Sequence, residues 1–221
     1  MRGESAGERG LAGLLPAAQW SALARLGVGV SFRQGQIFFQ QGESGRHAYV
    51  LLRGAVKIQR SEPTGGQTIL TVRAGGDVIG ELAALDGQPR SATVTAISAV
   101  TARLLTGEQL RRFTADPAVS ASFLHYTMAR VRESAELRGE LALLPVRSRL
   151  ARALLRLGAG NGPGDRPEVQ LSQQDLAQLV GASRNAVVVA LAELRTAGLL
   201  TTHRKTIIIR DRSGLAGYAQ P

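Results

Sequence analysis

The hydrophobic pattern changes period several times along the chain. From Leu11 to Gly27 (LAGLLPAAQWSALARLG) apolar residues recur at helical spacing, and Leu14, Leu15, Leu23 and Leu26 can share a face with Trp20. A short N-terminal helix is expected there. Between residues 30 and 105 the period shortens. Runs rich in Val, Ile, Phe and Thr (QIFFQQG, AYVLLRG, AVKIQR, QTILTVRAG, ATVTAI, VTARLL) are separated by turn signals at Gly35, Gly42–Gly45, Gly54, Gly65–Gly66, Gly75–Gly76 and Gly87–Pro89. Alternation is strict in Ala55-Val56-Lys57-Ile58-Gln59 and Thr93-Val94-Thr95-Ala96-Ile97. Short strands at this spacing predict a β-sandwich or barrel.

Helical spacing returns at residue 107. Gly107 to Phe113 reads as a short amphipathic helix, and Asp116-Pro117 opens a long one, with Pro117 at the first helical position behind an acidic cap. That helix should run to about Leu144, before Pro145. Leu124, Met128, Val131, Ala135, Leu141 and Leu144 recur along it at roughly helical spacing, while Arg132–Arg138 is polar on every side. A helix this long in a small protein either pairs with its own copy in a dimer or packs internally. VRSRLARALLRL (146–157) is a further amphipathic helix, and GAGNGPGDRP (158–167) is a Gly/Pro-rich connector.

Beyond the connector, Leu171–Leu200 reads LSQQDLAQLVGASRNAVVVALAELRTAGLL. Ser172 precedes a helical run and Asp175 follows three residues later, a capping arrangement with Asp in the place of Glu. Leu176, Leu179 and Val180 supply one apolar face, and Gly181 breaks the helix. Ser183 restarts it, Val187, Leu191 and Leu194 define a second buried face, and Gly198 ends it. A helix of about eight residues, a glycine turn and a helix of about thirteen is the helix-turn-helix signature. Two short β-runs, Leu199–Thr202 and Thr206–Arg210, flank His203-Arg204-Lys205 and make the motif a winged variant. The second helix opens with Ser183, Arg184 and Asn185. Arginine can pair bidentately with guanine and asparagine with adenine, although Asn185 could equally contact phosphate. Ser172, Gln173, Arg204 and Lys205 suit phosphate contacts that position the protein without specifying sequence, and His203 of the wing is a further candidate for DNA contact. The alternative is a helical hairpin that contacts only protein.

Charge sharpens this reading. The 221 residues carry a net charge of +10. Residues 147–221 hold 11 basic and 5 acidic side chains, net +6, against net +4 for the longer N-terminal stretch. A polyanion partner at the C-terminal end is expected, nucleic acid first, with a merely solvated basic face as the alternative. The absence of cysteine excludes a disulfide scaffold, thiolate metal sites, cysteine-held iron–sulfur clusters and a cysteine nucleophile. No apolar run approaches the length of a membrane helix, and MRGESAGERG has no secretory h-region. A cytoplasmic protein without a membrane partner is expected. GxxxxGK[ST], GxSxG and HExxH are absent, and GAGNGPG fails the GxGxxG spacing, so the chain reads as a non-enzyme. His47, His125 and His203 lie far apart in sequence and form no metal motif.

Gly76–Val94 (GDVIGELAALDGQPRSATV) is the second candidate site. It reads as a strand, a Gly-Glu-Leu turn opening a short helix, and Pro-Arg-Ser leading into another strand. Backbone N–H groups at a helix start suit a phosphate. Arg90 can fork onto two phosphate oxygens, and Ser91 can add a hydroxyl. Glu81 suits a ribose 2′-OH, although Glu81 and Arg90 could equally form a structural ion pair.

Three segments together carry a resemblance. IFFQQGESGRHAYVLLRGAVKI, GELAALDGQPRSATV, and LSQQDLAQLVGASRNAV with LLTTHRKTIII resemble the first β-roll half, the phosphate-binding cassette, and the helix-turn-helix and wing of the cyclic-AMP receptor protein (catabolite activator) family, the Crp/Fnr group of bacterial transcriptional regulators. The resemblance runs from about Leu14 to Ile209. It implies an α+β fold: a cyclic-nucleotide-binding β-roll (jelly roll) over 11–115, a long dimerisation helix over 116–145, and a winged helix-turn-helix over 146–221. It also implies a ligand-gated DNA-binding homodimer with half-sites about 34 Å apart. Cyclic AMP or another cyclic nucleotide would be the effector, without a metal, and RNA polymerase a further partner. Glu81 would take the ribose hydroxyl and Arg90 the cyclic phosphate. Ser91 and the backbone of Gly80, Leu82 and Ala83 would complete the cradle, and Ser134 would reach the base. Ala135 stands where the best-known member has a second hydroxyl. Arg184 matches a base-reading arginine, but Asn185 replaces a glutamate and Val189 a second arginine, so a different half-site is expected. Two alternatives stay open: a regulator of this fold that binds DNA without nucleotide, and a nucleotide-sensing interaction module without a DNA target.

Overall fold

The computed structural model describes residues 10–62, 65–158, 168–203 and 205–220. The chain divides into two compact units, Met1–Val131 and Arg132–Pro221. The division falls inside a long helix rather than at either end of it.

The described residues of the first unit hold α1 (Ala17–Leu23), β1 (Val28–Phe32), β2 (Ile37–Phe39), β3 (His47–Arg53), β4 (Ala55–Ser61), β5 (Gln67–Ala74), β6 (Val78–Ile79), α2 (Glu81–Asp86), β7 (Thr93–Ala96), β8 (Val100–Thr106) and α3 (Gly107–Thr114). The strands form two antiparallel four-stranded sheets, ordered β1-β8-β3-β6 and β2-β7-β4-β5. The centre of the unit is β3. Its side chains alternate between two cores, as the pleat requires. Ala48 and Val50 join Leu11, Leu23, Leu105, Leu110 and the helices. Tyr49 and Leu51 join Phe38, Phe39, Val56, Ile79, Val94 and Ala96 in the other core. A strand covered on both faces needs an unbroken apolar run, which is why AYVLL lacks alternation.

The long helix, α4 (Pro117–Leu143), starts where the sequence places it: the Asp116 carboxylate accepts from the Ala118 N–H at 2.9 Å. It packs into the first unit through Val119, Phe123 and Tyr126. The apolar positions Leu124, Met128 and Val131 are exposed.

The second unit contains α5 (Val146–Gly158), β9 (Glu168–Val169), α6 (Gln173–Val180), α7 (Arg184–Thr196), β10 (Leu200–His203), β11 (Thr206–Ile209) and α8 (Arg212–Tyr218). Leu150, Leu154, Leu176, Leu194 and Leu200 are fully buried. The three strands form one sheet ordered β10-β11-β9. α8 is tied back onto α5: Ser148 Oγ donates to the Gln220 carbonyl at 2.8 Å, and Arg152 Nε to that of Ala219 at 2.7 Å.

Some elements differ from the sequence expectation. The N-terminal helix covers only Ala17–Leu23, because Pro16 sits at its N-cap and residues 10–15 form turns. β1 matches none of the expected apolar runs. The first wing strand is shifted by one residue at both ends, the second ends one residue early, and β9 and α8 had no counterpart. Most of the Gly/Pro-rich connector, residues 159–167, lies outside the described residues, as do the first nine residues and Arg204.

Candidate ligand site and nucleic-acid interface

The cassette between β6 and β7 is organised by Gly80 and Arg90. Gly80 caps α2 with φ +74°, and a Cβ there would lie 2.6 Å from Arg90 Nη1 and 3.0 Å from the Phe39 ring. The position therefore requires glycine both for its backbone and for the space above it. Arg90 is only 2% exposed. Its Nη1 donates to the Gly80 carbonyl at 2.8 Å and its Nη2 to that of His47 at 2.7 Å. The guanidinium lies 4.1 Å from the Phe39 ring centroid. It makes no ion pair with a described residue, and its buried Nε has no hydrogen-bond partner. Burial pulls Arg90 below its ordinary value, against smaller raising effects from Tyr49, Glu43 and Glu81. Burial, then the Arg90 charge, also pulls His47 down, with Glu43 opposing. The guanidinium therefore keeps hydrogen-bonding capacity that no described residue uses.

Glu81, also buried, pairs with Arg130 of α4 rather than with Arg90. Arg130 Nη1 donates to Glu81 Oε1 at 2.6 Å, while Nη2 donates to the Val78 carbonyl at 3.0 Å and lies 3.5 Å from Asp77 Oδ1. The guanidinium stacks over Tyr126 at 4.3 Å. The Tyr126 hydroxyl accepts from the Val78 N–H at 3.1 Å and donates to Asp77 Oδ1 at 3.0 Å. Burial raises Tyr126 well above the ordinary phenol value. Arg130, Tyr126 and Asp77 were missed from the sequence. The available signal was Tyr126 and Arg130 four apart, hence on one helix face.

Of the remaining cassette residues, Ala83 is buried in α2, while Leu82 and Ser91 are exposed. Ser134 is exposed on the part of α4 that belongs to the second unit.

The second unit gathers the residues expected to meet nucleic acid. Ser172 caps α6 with its Oγ accepting from the Asp175 N–H at 3.0 Å, and the Asp175 carboxylate accepts from the Ser172 N–H at 3.2 Å. Gly181, at φ +58°, turns the chain into α7, whose first N–H groups meet the Ser183 hydroxyl through Ala186 N at 3.2 Å. Ser183, Arg184 and Asn185 are exposed at the start of α7. Ser172, Gln173, Arg184, His203 and Lys205 line one cleft of about 280 Å³ between the helices and the wing. Among the described residues no cluster of three or more His, Asp or Glu could hold a metal. No described helix is long and apolar enough to cross a membrane.

Similarities to known proteins follow the same division. Residues 29–116 match the cyclic nucleotide-binding domain and residues 148–218 the Crp-like helix-turn-helix domain. The chain is 34% identical over 217 residues to the CRP-like cAMP-activated global transcriptional regulator of Mycobacterium tuberculosis, covering 95% of this chain and 97% of that protein. It is 30% identical over 174 residues to the cAMP-activated global transcriptional regulator CRP of Salmonella typhimurium, covering 76% and 83%. A CRP/FNR-family transcriptional regulator of Thermus thermophilus superimposes with a TM-score of 0.72 at 25% identity, covering 87% of this chain and 98% of that one. FixK2 of Bradyrhizobium japonicum shares the fold, with a TM-score of 0.77 at 22% identity over 89% and 98% of the two chains. Joined to the two four-stranded sheets and the winged helix-turn-helix, these similarities show that the chain belongs to the Crp/Fnr family of ligand-responsive, DNA-binding transcriptional regulators.

Proposed function

We propose that this regulator is gated by a cyclic nucleotide, with cyclic AMP the first candidate, and that it reads a duplex operator as a homodimer. The observation that carries the reading is the buried Arg90 guanidinium with its free Nε. A cyclic phosphate is a singly charged anion with two exocyclic oxygens, and a guanidinium can serve both. Glu81 complements it. Arg130 occupies Oε1, and a carboxylate has acceptor capacity to spare, so Oε2 can accept a ribose 2′-OH. Ser91 and the backbone of Gly80, Leu82 and Ala83 would surround the phosphate, while Ser134 enters the reading on the family resemblance alone. The named activity of the Mycobacterium tuberculosis relative supports cyclic AMP.

The exposed stripe Leu124, Met128 and Val131 supports pairing through α4, since its 4-3 spacing is that of a helix–helix seam. Arg184 and Asn185 would read base edges, with Ser183 beside them. Ser172, Gln173, His203, Arg204 and Lys205 would hold phosphates. Such a regulator works in the cytoplasm with DNA, and RNA polymerase remains a partner by resemblance. Calorimetry with cyclic AMP and cyclic GMP tests the gate. Heat with the wild type that disappears in Arg90→Ala is expected, and no heat with either nucleotide refutes it. Sedimentation of Leu124→Glu tests the seam, with loss of the dimer as the expected result.

A further inference from the structure

The groove-facing side of α7 carries an apolar pair. Arg184, Asn185, Val188 and Val189 are all exposed, whereas Val187, Ala190, Leu191 and Leu194 are buried. At 3.6 residues per turn the four exposed side chains occupy one arc of about 140°, opposite the buried one. Val188 is 40% exposed and Val189 58%. Valine is a poor helix former, stiff at χ1, and gains nothing by facing water in mid-helix. Alanine, glutamate or lysine would serve a face that met only solvent. Here the valines continue the face opened by an arginine and an asparagine.

We infer that Val189, with Val188 beside it, is a specificity-determining contact that reads the C5-methyl group of thymine. The inference rests on the DNA-binding reading of α7 and adds to it. In the major groove the bases display hydrogen-bonding groups at every pair, and thymine alone adds a methyl group. An isopropyl side chain gains by covering that methyl and cannot satisfy the O6 and N7 of guanine. Asn185 and Val189 are one helical turn apart, about 6 Å along the axis. Base pairs rise about 3.4 Å each, so the thymine should lie within about two steps of the pair that Asn185 reads. The contact is uncharged and displaces no counterion. Its loss should change sequence preference and leave the salt dependence of binding untouched.

The experiment selects bound duplexes from a random library with the full-length protein, with and without cyclic AMP. Each thymine of the selected half-site is then replaced in turn by deoxyuridine, which deletes only the methyl group. At one position, within about two steps of the adenine, binding should weaken three- to tenfold. Val189→Ala should bind the thymine and uracil duplexes alike, and the slope of log K against log salt should match the wild type. Val188→Ala shows whether the contact is shared. If no uracil replacement matters, or if Val189→Ala keeps the wild-type ratio, the inference is overturned while DNA binding stands. If the library yields no enriched sequence in either condition, the DNA-binding reading of α7 falls first and takes this contact with it.

Discussion

Arg130→Ala isolates the polar hub that joins α4 to the nucleotide cassette. The wild-type pair is well enclosed, with the Arg130 side chain 17% and the Glu81 side chain 8% exposed. Truncating the arginine leaves a carboxylate that water barely reaches, and it also strips a donor from the Val78 carbonyl. Breaking a buried pair from one side costs about 3–5 kcal/mol, and the partial exposure of Arg130 argues for the lower end, about 3 kcal/mol. For a unit of this size roughly 4 °C of melting temperature accompanies each kcal/mol, so thermal unfolding of the full-length protein should begin roughly 12 °C lower. Glu81→Gln should cost less, about 1–2 kcal/mol, because Arg130 keeps its contacts to Asp77 and the Val78 carbonyl. The double variant Glu81→Gln/Arg130→Ala separates the pair from its neighbours. It should be more stable than the sum of the single losses predicts, by about 2 kcal/mol. Strict additivity, or a shift under about 2 °C for Arg130→Ala, would refute the view that this pair fastens α4 to the cassette.

Gly80→Ala forces a methyl group to within 2.6 Å of Arg90 Nη1 at a φ of +74°. Calorimetry should show cyclic AMP affinity reduced at least tenfold, or about 1.4 kcal/mol, with circular dichroism still native. Tyr126→Phe leaves the buried Val78 N–H unpaired and removes a donor from Asp77, which should cost about 2–3 kcal/mol in denaturant unfolding. His47 sets a pH signature. Its folded value is depressed, so the unfolded chain takes up the proton first as acid is added. The stability it supports is intact above pH 6.5 and is lost as pH falls through the folded value. Melting temperatures measured from pH 7.5 to 5 should therefore decline more steeply in the wild type than in His47→Gln.

The start of α4 and both ends of α6 were legible because their signals are local. Asp116-Pro117, Ser172 with Asp175, and Gly181 each fix a terminus through atoms a few residues apart. β9 and α8 escaped for the opposite reason. Two strand residues paired to β11 and a helix held by Ser148 and Arg152 exist only once distant partners are present. The cassette shows the same divide. Gly80, Glu81 and Arg90 fall within eleven residues and read as one motif, but the cation facing Glu81 comes from residue 130. Spacing along the chain could not choose between Arg90 and Arg130 as its partner. The choice is made by the docking of α4 through Val119, Phe123 and Tyr126, which brings Arg130 over β6. Periodicity along α4 picks out Leu124, Met128 and Val131, which are exposed, and passes over Val119, Phe123 and Tyr126, which face the unit's own core.

That sorting bears on how strong the proposed gate can be. A ligand shifts an equilibrium only by its difference in affinity for the two states. Driving a regulator from 1:99 to 99:1 takes about 5.5 kcal/mol. The Glu81–Arg130 pair is one enclosed link between the cassette and α4, and its whole removal cost is about 3 kcal/mol. Taken as the scale of the coupling that one protomer supplies, one such link falls short and two reach the requirement. A dimer paired through the α4 stripe holds two. Full switching then requires both sites filled, so DNA retention should lag behind nucleotide occupancy. At half-saturation of the sites with cyclic AMP, well under half of the operator-bound signal should have appeared, and the curve of retention against occupancy should bend upward. A straight line through that plot would mean that each protomer switches alone, and would remove the α4 seam from the mechanism.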